Sequence, residues 1–169
     1  MHSTAGGRGS GLVLPRRRDC KDGRVSSPVV SVGYEGRDVE ELVASLLQHR
    51  VAVLVDVRLT PLSRKPGLSK KRLAATLEAA GIGYVHLAAL GNPKDNRVAL
   101  RAGDRCGRQR FEDLLRTSEA TSALRHVAEL LDDQTVALLC FERNHEECHR
   151  TLVVDALRRV NPTLHVVTV

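Results

Sequence analysis

Residues 140–150, CFERNHEECHR, hold two cysteines, two histidines, two arginines and three glutamates within eleven positions. An apolar run, TVALLCF, leads into them and a helical pattern, RTLVVDALRRV, leads away. Such a set can serve as a metal site, a reactive thiol or an anion cradle. The first turn of a helix offers free backbone N–H groups and the positive end of the macrodipole, which favour an anion and lower the pKa of a thiol. Read as the opening of the last helix, Cys148, His149 and Arg150 then supply a candidate nucleophile, its base and an anion-binding guanidinium. Glu146 and Glu147 oppose the activation of Cys148. Cys140 reads as a small apolar residue inside a strand. Glu142, two positions on, shares its side of the chain where the strand emerges. A metal set can be written as Cys140, His145, Cys148 and His149. However, the adjacency of Cys148 and His149, and a Cys140 inside the sheet, argue against a closed zinc site, so no metal is expected. A phosphatase-type loop needs an arginine six residues after its cysteine, where this chain has Glu146 or Val154. The G-x-S-x-G hydrolase elbow is absent from the sequence.

A second constellation is VLVDVR, in which Asp56 and Arg58 end an otherwise apolar strand and, two apart, point to the same side. An unpaired buried charge costs several kcal/mol. The two residues are therefore either a structural pair sealing the sheet edge, or a ligand site with Arg58 on an anion and Asp56 as base or orienter. After the first strand, GYEGRD offers Tyr34 and Arg37 as further ligand contacts. Its two glycines lack the third of a dinucleotide fingerprint, and no GxxxxGK[ST] loop occurs, so no cofactor is expected. The basic stretch SRKPGLSKKR, residues 63–72, follows the Asp56 strand and reads either as a solvated face or as a flexible basic lid.

Alternating elements must position these residues. VVSVGY is a β-branched strand ending in a turn. Asp38 with Glu41 forms a capping box before a helix whose apolar face is Val39, Leu42, Val43, Leu46 and Leu47. VAVLVDVR, residues 51–58, has the continuous apolar character of a buried parallel strand. Ser69 caps a helix over 70–80, stopped by Gly81. IGYVHLAAL is a third strand and residues 91–107 a long polar loop. Residues 111–132 form a helix broken near RTSEAT, QTVALLCF a fourth strand, residues 148–160 a helix and TLHVVTV a fifth strand. The expected fold is α/β: a Rossmann-like, open, mostly parallel five-stranded sheet with helices on both faces. Ligands bind such sheets at the C-terminal edge of the strands. Tyr34, Glu35, Arg37, Asp56, Arg58, His86 and residues 142–150 should converge there.

Bulk composition narrows the function classes. A chain of 169 residues fits one domain, taken as residues 28–169, behind a disordered basic tail over 1–27. That tail holds six basic and two acidic side chains of a chain whose total is +6, leaving 20 basic against 18 acidic in the remainder. Nucleic acid is thus a candidate partner of the tail rather than of the domain. Two tyrosines, two phenylalanines and no tryptophan are too few for a base-stacking platform. No apolar run approaches the roughly 20 residues of a membrane span. No signal peptide is legible, and the four scattered cysteines do not form a disulfide framework, which favours the cytoplasm.

SVGYEGR, LVDVRLTPLSRKPGLSK and LLCFERNHEECHR, in that order, together resemble the bacterial family catalogued as domain of unknown function 488. YVHLAALGNP fits its third strand and following loop, and the resemblance runs from about Pro28 to Val169. It implies an α/β sheet and motif positions at Tyr34, Asp56, Arg58, Glu142, Cys148, His149 and Arg150. His145 departs from the family pattern and is a poor candidate for a shared role. The expected function is binding of a small anionic ligand, nucleotide- or phosphate-like, at the C-terminal sheet edge. Hydrolase or transferase chemistry there would use Asp56 and Glu142. The alternatives are a thiol or redox enzyme using Cys148 with His149, and a non-catalytic module tethered to nucleic acid.

Overall fold

The structure is a computed structural model and describes residues 27–169. The basic tail expected over 1–27 therefore lies, but for its last residue, outside the described residues. The strands are β1 (Val29–Gly33), β2 (Val53–Asp56), β3 (Gly83–His86), β4 (Val136–Cys140) and β5 (Val166–Thr168). Between them run α1 (Val39–Gln48), α2 (Lys70–Ala79), α3 (Arg97–Arg101), α4 (Arg105–Leu114), α5 (Ser118–Asp133) and α6 (Arg150–Val160). The sheet has five strands in the order β3-β2-β4-β1-β5. Every pairing is parallel.

Period-two alternation along fully apolar strands divides the core in two. Val29, Val53, Val55, Val136 and Leu138 face α4, α5 and α6, packing on Phe111, Val127, Val153 and Leu157. Val30, Val32, Leu54, Ala137 and Leu139 face α1 and α2, packing on Leu42, Leu46, Leu73 and Leu77. The connection leaving β4 thus crosses the opposite face from those leaving its neighbours β1 and β2. This divergence opens a crevice at the carboxyl end of β4, where open α/β sheets take their ligands.

Local chemistry explains the boundaries. Asp38 accepts from Glu41 N at 2.8 Å while Asp38 N donates to Glu41 Oε2 at 3.0 Å, the reciprocal capping box. Ser69 is the N-cap residue of α2 as expected, but its side chain does not bond the helix: its Oγ donates to Ser63 O and accepts from Ser63 N, both at 3.1 Å, closing the loop before the helix instead. The break expected near RTSEAT falls at Thr117, whose side chain caps α5. The stretch 91–107 is not the polar loop its composition predicts, since it contains α3 and the start of α4. Buried Asn96 holds it together by donating to Asn92 Oδ1 at 3.0 Å and to Gly107 O at 2.9 Å. The last helix begins at Arg150 rather than Cys148, and its N-cap is His149. Among the described residues no helix is long and apolar enough to cross a membrane.

Candidate functional site

The β1–β4 ladder continues beyond both strands, with Tyr34 N donating to Cys140 O at 3.3 Å and Glu35 N to Phe141 O at 2.9 Å. These bonds draw the two loops side by side. Gly33 allows the approach: a Cβ there would lie 2.0 Å from the Glu142 carbonyl oxygen and 2.7 Å from Arg143 Cα. Gly91 does the same for the loop after β2, since its Cβ would lie 2.3 Å from Leu59 N. Arg143 N donates to Glu35 Oε2 at 3.1 Å and fixes the turn after β4.

Between these loops is a cavity of about 860 Å³. Its cationic lining is Arg58, Arg64, Lys65, Arg97 and Arg101, and its single carboxylate is Glu142. Its apolar rim includes Leu59, Leu62, Val98 and Phe141, which are four of the six large hydrophobic residues that stand exposed among the described residues. Arg97 and Arg101, four apart on α3, were hidden from sequence reasoning by the polar composition around them. Their i, i+4 spacing in NRVALR was the available signal. Lys65 is tied to the backbone, with Nζ donating to Arg37 O at 2.8 Å and Tyr34 O at 3.3 Å. The basic stretch is a bonded loop and not a free lid.

Asp56 is fully buried and its oxygens are committed. Arg58 Nε donates to Oδ1 at 2.8 Å, Arg58 Nη2 to Oδ2 at 2.5 Å, and Tyr84 OH to Oδ2 at 2.7 Å. Arg58 Nη1 donates to Tyr34 OH at 3.0 Å and Leu68 O at 2.9 Å, and its guanidinium lies over the Tyr34 ring. Of the five guanidinium donors, four are used inside the protein. Burial alone would lower the Arg58 pKa, but Asp56 outweighs it and raises it. Burial and the bond to Asp56 push the Tyr84 phenol up. His86 Nε2 donates to Arg58 O at 2.9 Å and secures the same strand end.

The second assembly lies at the floor of the cavity. Cys140, Glu142, Cys148 and His149 bring one ligand atom each within 4.8 Å of the others. The Cys140 thiol donates to Glu142 Oε2 at 2.8 Å, and Cys148 Sγ lies 3.4 Å from the same oxygen. His149 Nδ1 stands 3.8 Å from Cys140 Sγ and 3.7 Å from Cys148 Sγ. On its far side His149 Nε2 donates to Val57 O at 3.1 Å. That bond takes a proton on Nε2 and turns Nδ1 toward the two sulfurs. Phe111 of α4 packs edge-on against the imidazole with ring centroids 5.4 Å apart. The bond with Cys148, then burial and the Glu142 charge, push the Cys140 thiol up. Burial also acts to raise Cys148, but the Cys140 and His149 hydrogen bonds and the Arg150 charge overcome it and hold the thiol well below its ordinary range.

Arg150 is fully buried. Its Nε donates to Cys148 Sγ at 3.2 Å and its Nη2 to the Glu142 carbonyl, while Nη1 has no partner among the described residues. It stands behind Cys148 and does not line the cavity, as Cys148 and Asp56 also do not. Arg37 lies away from it, in a shallower pocket between α1 and α2. His145 turns aside, with Nδ1 2.7 Å from Ser31 Oγ, and burial together with Arg150 lowers its pKa. The four residues that could be written as a metal set from the sequence, and were expected to hold none, differ from the cluster that forms, in which Glu142 stands in place of His145. The objections to a metal set also lose their force. Cys140 is the last residue of β4, so its Sγ reaches the strand's end. Cys148 precedes α6, where an irregular backbone lets neighbouring side chains face one point.

A family model described as "Domain of unknown function DUF488" matches residues 38–157, more than half of the chain. The match begins after β1, so Tyr34 and the Gly33 turn precede it. Comparison with curated proteins and with solved structures returned no match.

Proposed function

We propose a ligand-binding function for this chain, which belongs to the DUF488 family: the cavity at the carboxyl edge of β1, β2 and β4 holds a small anion bearing an apolar or aromatic part, as in a nucleotide. The observation that carries this reading is the lining, in which five cationic side chains face one carboxylate beneath an apolar rim. Low-dielectric walls concentrate such a positive potential. The exposed guanidinium groups of Arg64 and Arg97, which form no ion pair among the described residues, provide the first contacts with the anion. Arg58 is held by Asp56 and Tyr34 and serves as a fixed charge beneath them. Within this reading Asp56 is a positioning residue. Glu142 is the carboxylate available for proton transfer to a bound ligand in hydrolytic or transfer chemistry.

Thermal shift of the protein with nucleoside monophosphates, nucleoside diphosphates and inorganic phosphate tests the proposal. At a hundredfold excess over Kd a ligand adds about 2.7 kcal/mol of stability. The Arg64→Ala/Arg97→Ala variant should keep the unliganded Tm and lose most of that shift. No stabilisation by any of these anions, or an equal shift in the variant, would sink the reading. A second reading is favoured by one observation, the placement of Cys148 Sγ 3.7 Å from His149 Nδ1 and 3.2 Å from Arg150 Nε. A nucleophilic or redox Cys148 would be marked by alkylation faster than that of exposed Cys106.

A further inference from the structure

The geometry points to a divalent metal site of the zinc class at the floor of the cavity, with Cys140 Sγ, Cys148 Sγ, His149 Nδ1 and Glu142 Oε2 as its ligands. The inference stands on the four side chains themselves; it takes Glu142 as a metal ligand in place of the proton-transfer role given to it above, and leaves the anion-binding cations as they are. Zinc holds sulfur at about 2.3 Å and imidazole nitrogen at about 2.0–2.1 Å, so tetrahedral ligand atoms stand roughly 3.3–3.8 Å from one another. The two sulfur–nitrogen separations are 3.7 and 3.8 Å and the Cys148–Glu142 separation is 3.4 Å. Among these four separations the Cys140–Glu142 pair is the short one, at 2.8 Å, and all the ligand atoms lie within 4.8 Å of one another. The Cys140 thiol donates to the carboxylate there, and a cation would take that proton's place.

Three further features are those a metal requires. The Nε2–H of His149 donates to Val57 O, which aims Nδ1 inward and is the outer-shell bond that ligating histidines make. Two thiolates and a carboxylate around a divalent cation leave one negative charge. Fully buried Arg150 supplies the opposite charge and bonds Cys148 Sγ through Nε. Without that sulfur the guanidinium has no anionic group among its hydrogen-bond partners. The third feature is the identity of the donors: two soft sulfurs with an imidazole select zinc-class ions over magnesium or calcium, which take oxygen ligands. Cys140, Glu142 and His149 also line the cavity, so the ion would be reached from the ligand's side.

Cobalt(II) titration of the full chain, reduced and stripped by a chelator, tests the assignment. Tetrahedral thiolate ligation should give intense visible d–d bands with a near-ultraviolet charge-transfer band, saturating at a single equivalent, and zinc should abolish them. Cys148→Ser should lose much of the charge-transfer intensity, since one thiolate ligand remains, whereas Cys106→Ser should match the parent. Circular dichroism of each stripped variant establishes that it is folded. A readout without variants is alkylation mapped by mass spectrometry, in which zinc should shield Cys140 and Cys148 and leave Cys106 reactive. Weak octahedral spectra, or Cys148 alkylated equally with and without zinc, would overturn the site. Anion-induced shifts that survive in the stripped protein would leave the anion reading intact in that case.

Discussion

Asp56 and Glu142 show what a residue's type conveys and what it conceals. Both were legible as carboxylates at strand ends, and both are found at the predicted edge. Their roles part only when their partners are counted. Asp56 Oδ1 and Oδ2 are taken up by the Arg58 guanidinium and the Tyr84 phenol and do not reach the cavity, whereas Glu142 takes the two thiols on Oε2 and an exposed contact from Arg101 at 3.3 Å on Oε1, and opens onto the cavity. No spacing rule reports how many donors a carboxylate has already accepted. Tyr84, 28 residues from Asp56, had no sequence signal beyond its place in a strand. Because both members of the Asp56–Arg58 pair are buried, removal of one leaves an uncompensated charge. Asp56→Asn should lower stability by about 3–5 kcal/mol in denaturant unfolding, the range for breaking a buried pair. The Asp56→Leu/Arg58→Met variant should recover much of that loss, because it removes both charges together. A double variant as unstable as the single one would show that the pair is more than mutual neutralisation.

At the scale of elements, hydrophobic period carried the strands and the long helices. The capping box at Asp38 and the break at Thr117 were legible from side-chain types alone. Where the reading departed from the fold, tertiary contacts decided. Residues 91–107 look like a loop because they are polar and glycine-bearing. Yet Asn96 is 2 % exposed and its bonds to Asn92 and Gly107 set α3 against α4, bringing Arg97 and Arg101 over the cavity. The start of α6 slipped by two residues, which removes Cys148 from the helix's first turn and leaves its lowered pKa to His149, Cys140 and Arg150. The contact between the end of β1 and the turn after β4 could not be foreseen, since it depends on strand order. It sets a sharp condition on Gly33. Gly33→Ala should drive the Glu142–Arg143 backbone away, lowering Tm and loosening cobalt binding through displaced Glu142. Gly36→Ala meets no atom within 4 Å but sits at a φ of +77°, so it should cost stability alone. Equal cobalt affinity in the two variants would show that the β1–β4 approach does not position the site.

For the molecule as a whole, alternating elements were enough to imply a parallel sheet, and the five strands prove to be parallel throughout. The order β3-β2-β4-β1-β5 was beyond reach of pattern, because it rests on which crossovers bury which faces. It also places the candidate site, since it puts β4 at the centre and brings the three sequence motifs together at its carboxyl end. Charge follows the same division. The +6 of the chain resides mostly in residues 1–27, yet the cavity draws its five cations from the loop after β2 and from α3, joined by Arg58. A positive cleft in a nearly balanced domain acts on a ligand at short range, within a screening length of about 8 Å at physiological salt. Deleting residues 1–27 should therefore leave the Kd for a nucleoside monophosphate, measured by calorimetry, within about twofold of the full chain, as distant screened charges imply. The same deletion should remove any salt-dependent retention on DNA, whose affinity comes from neutralised phosphates. Loss of nucleotide affinity on deletion would move the anion site from the sheet edge to the tail.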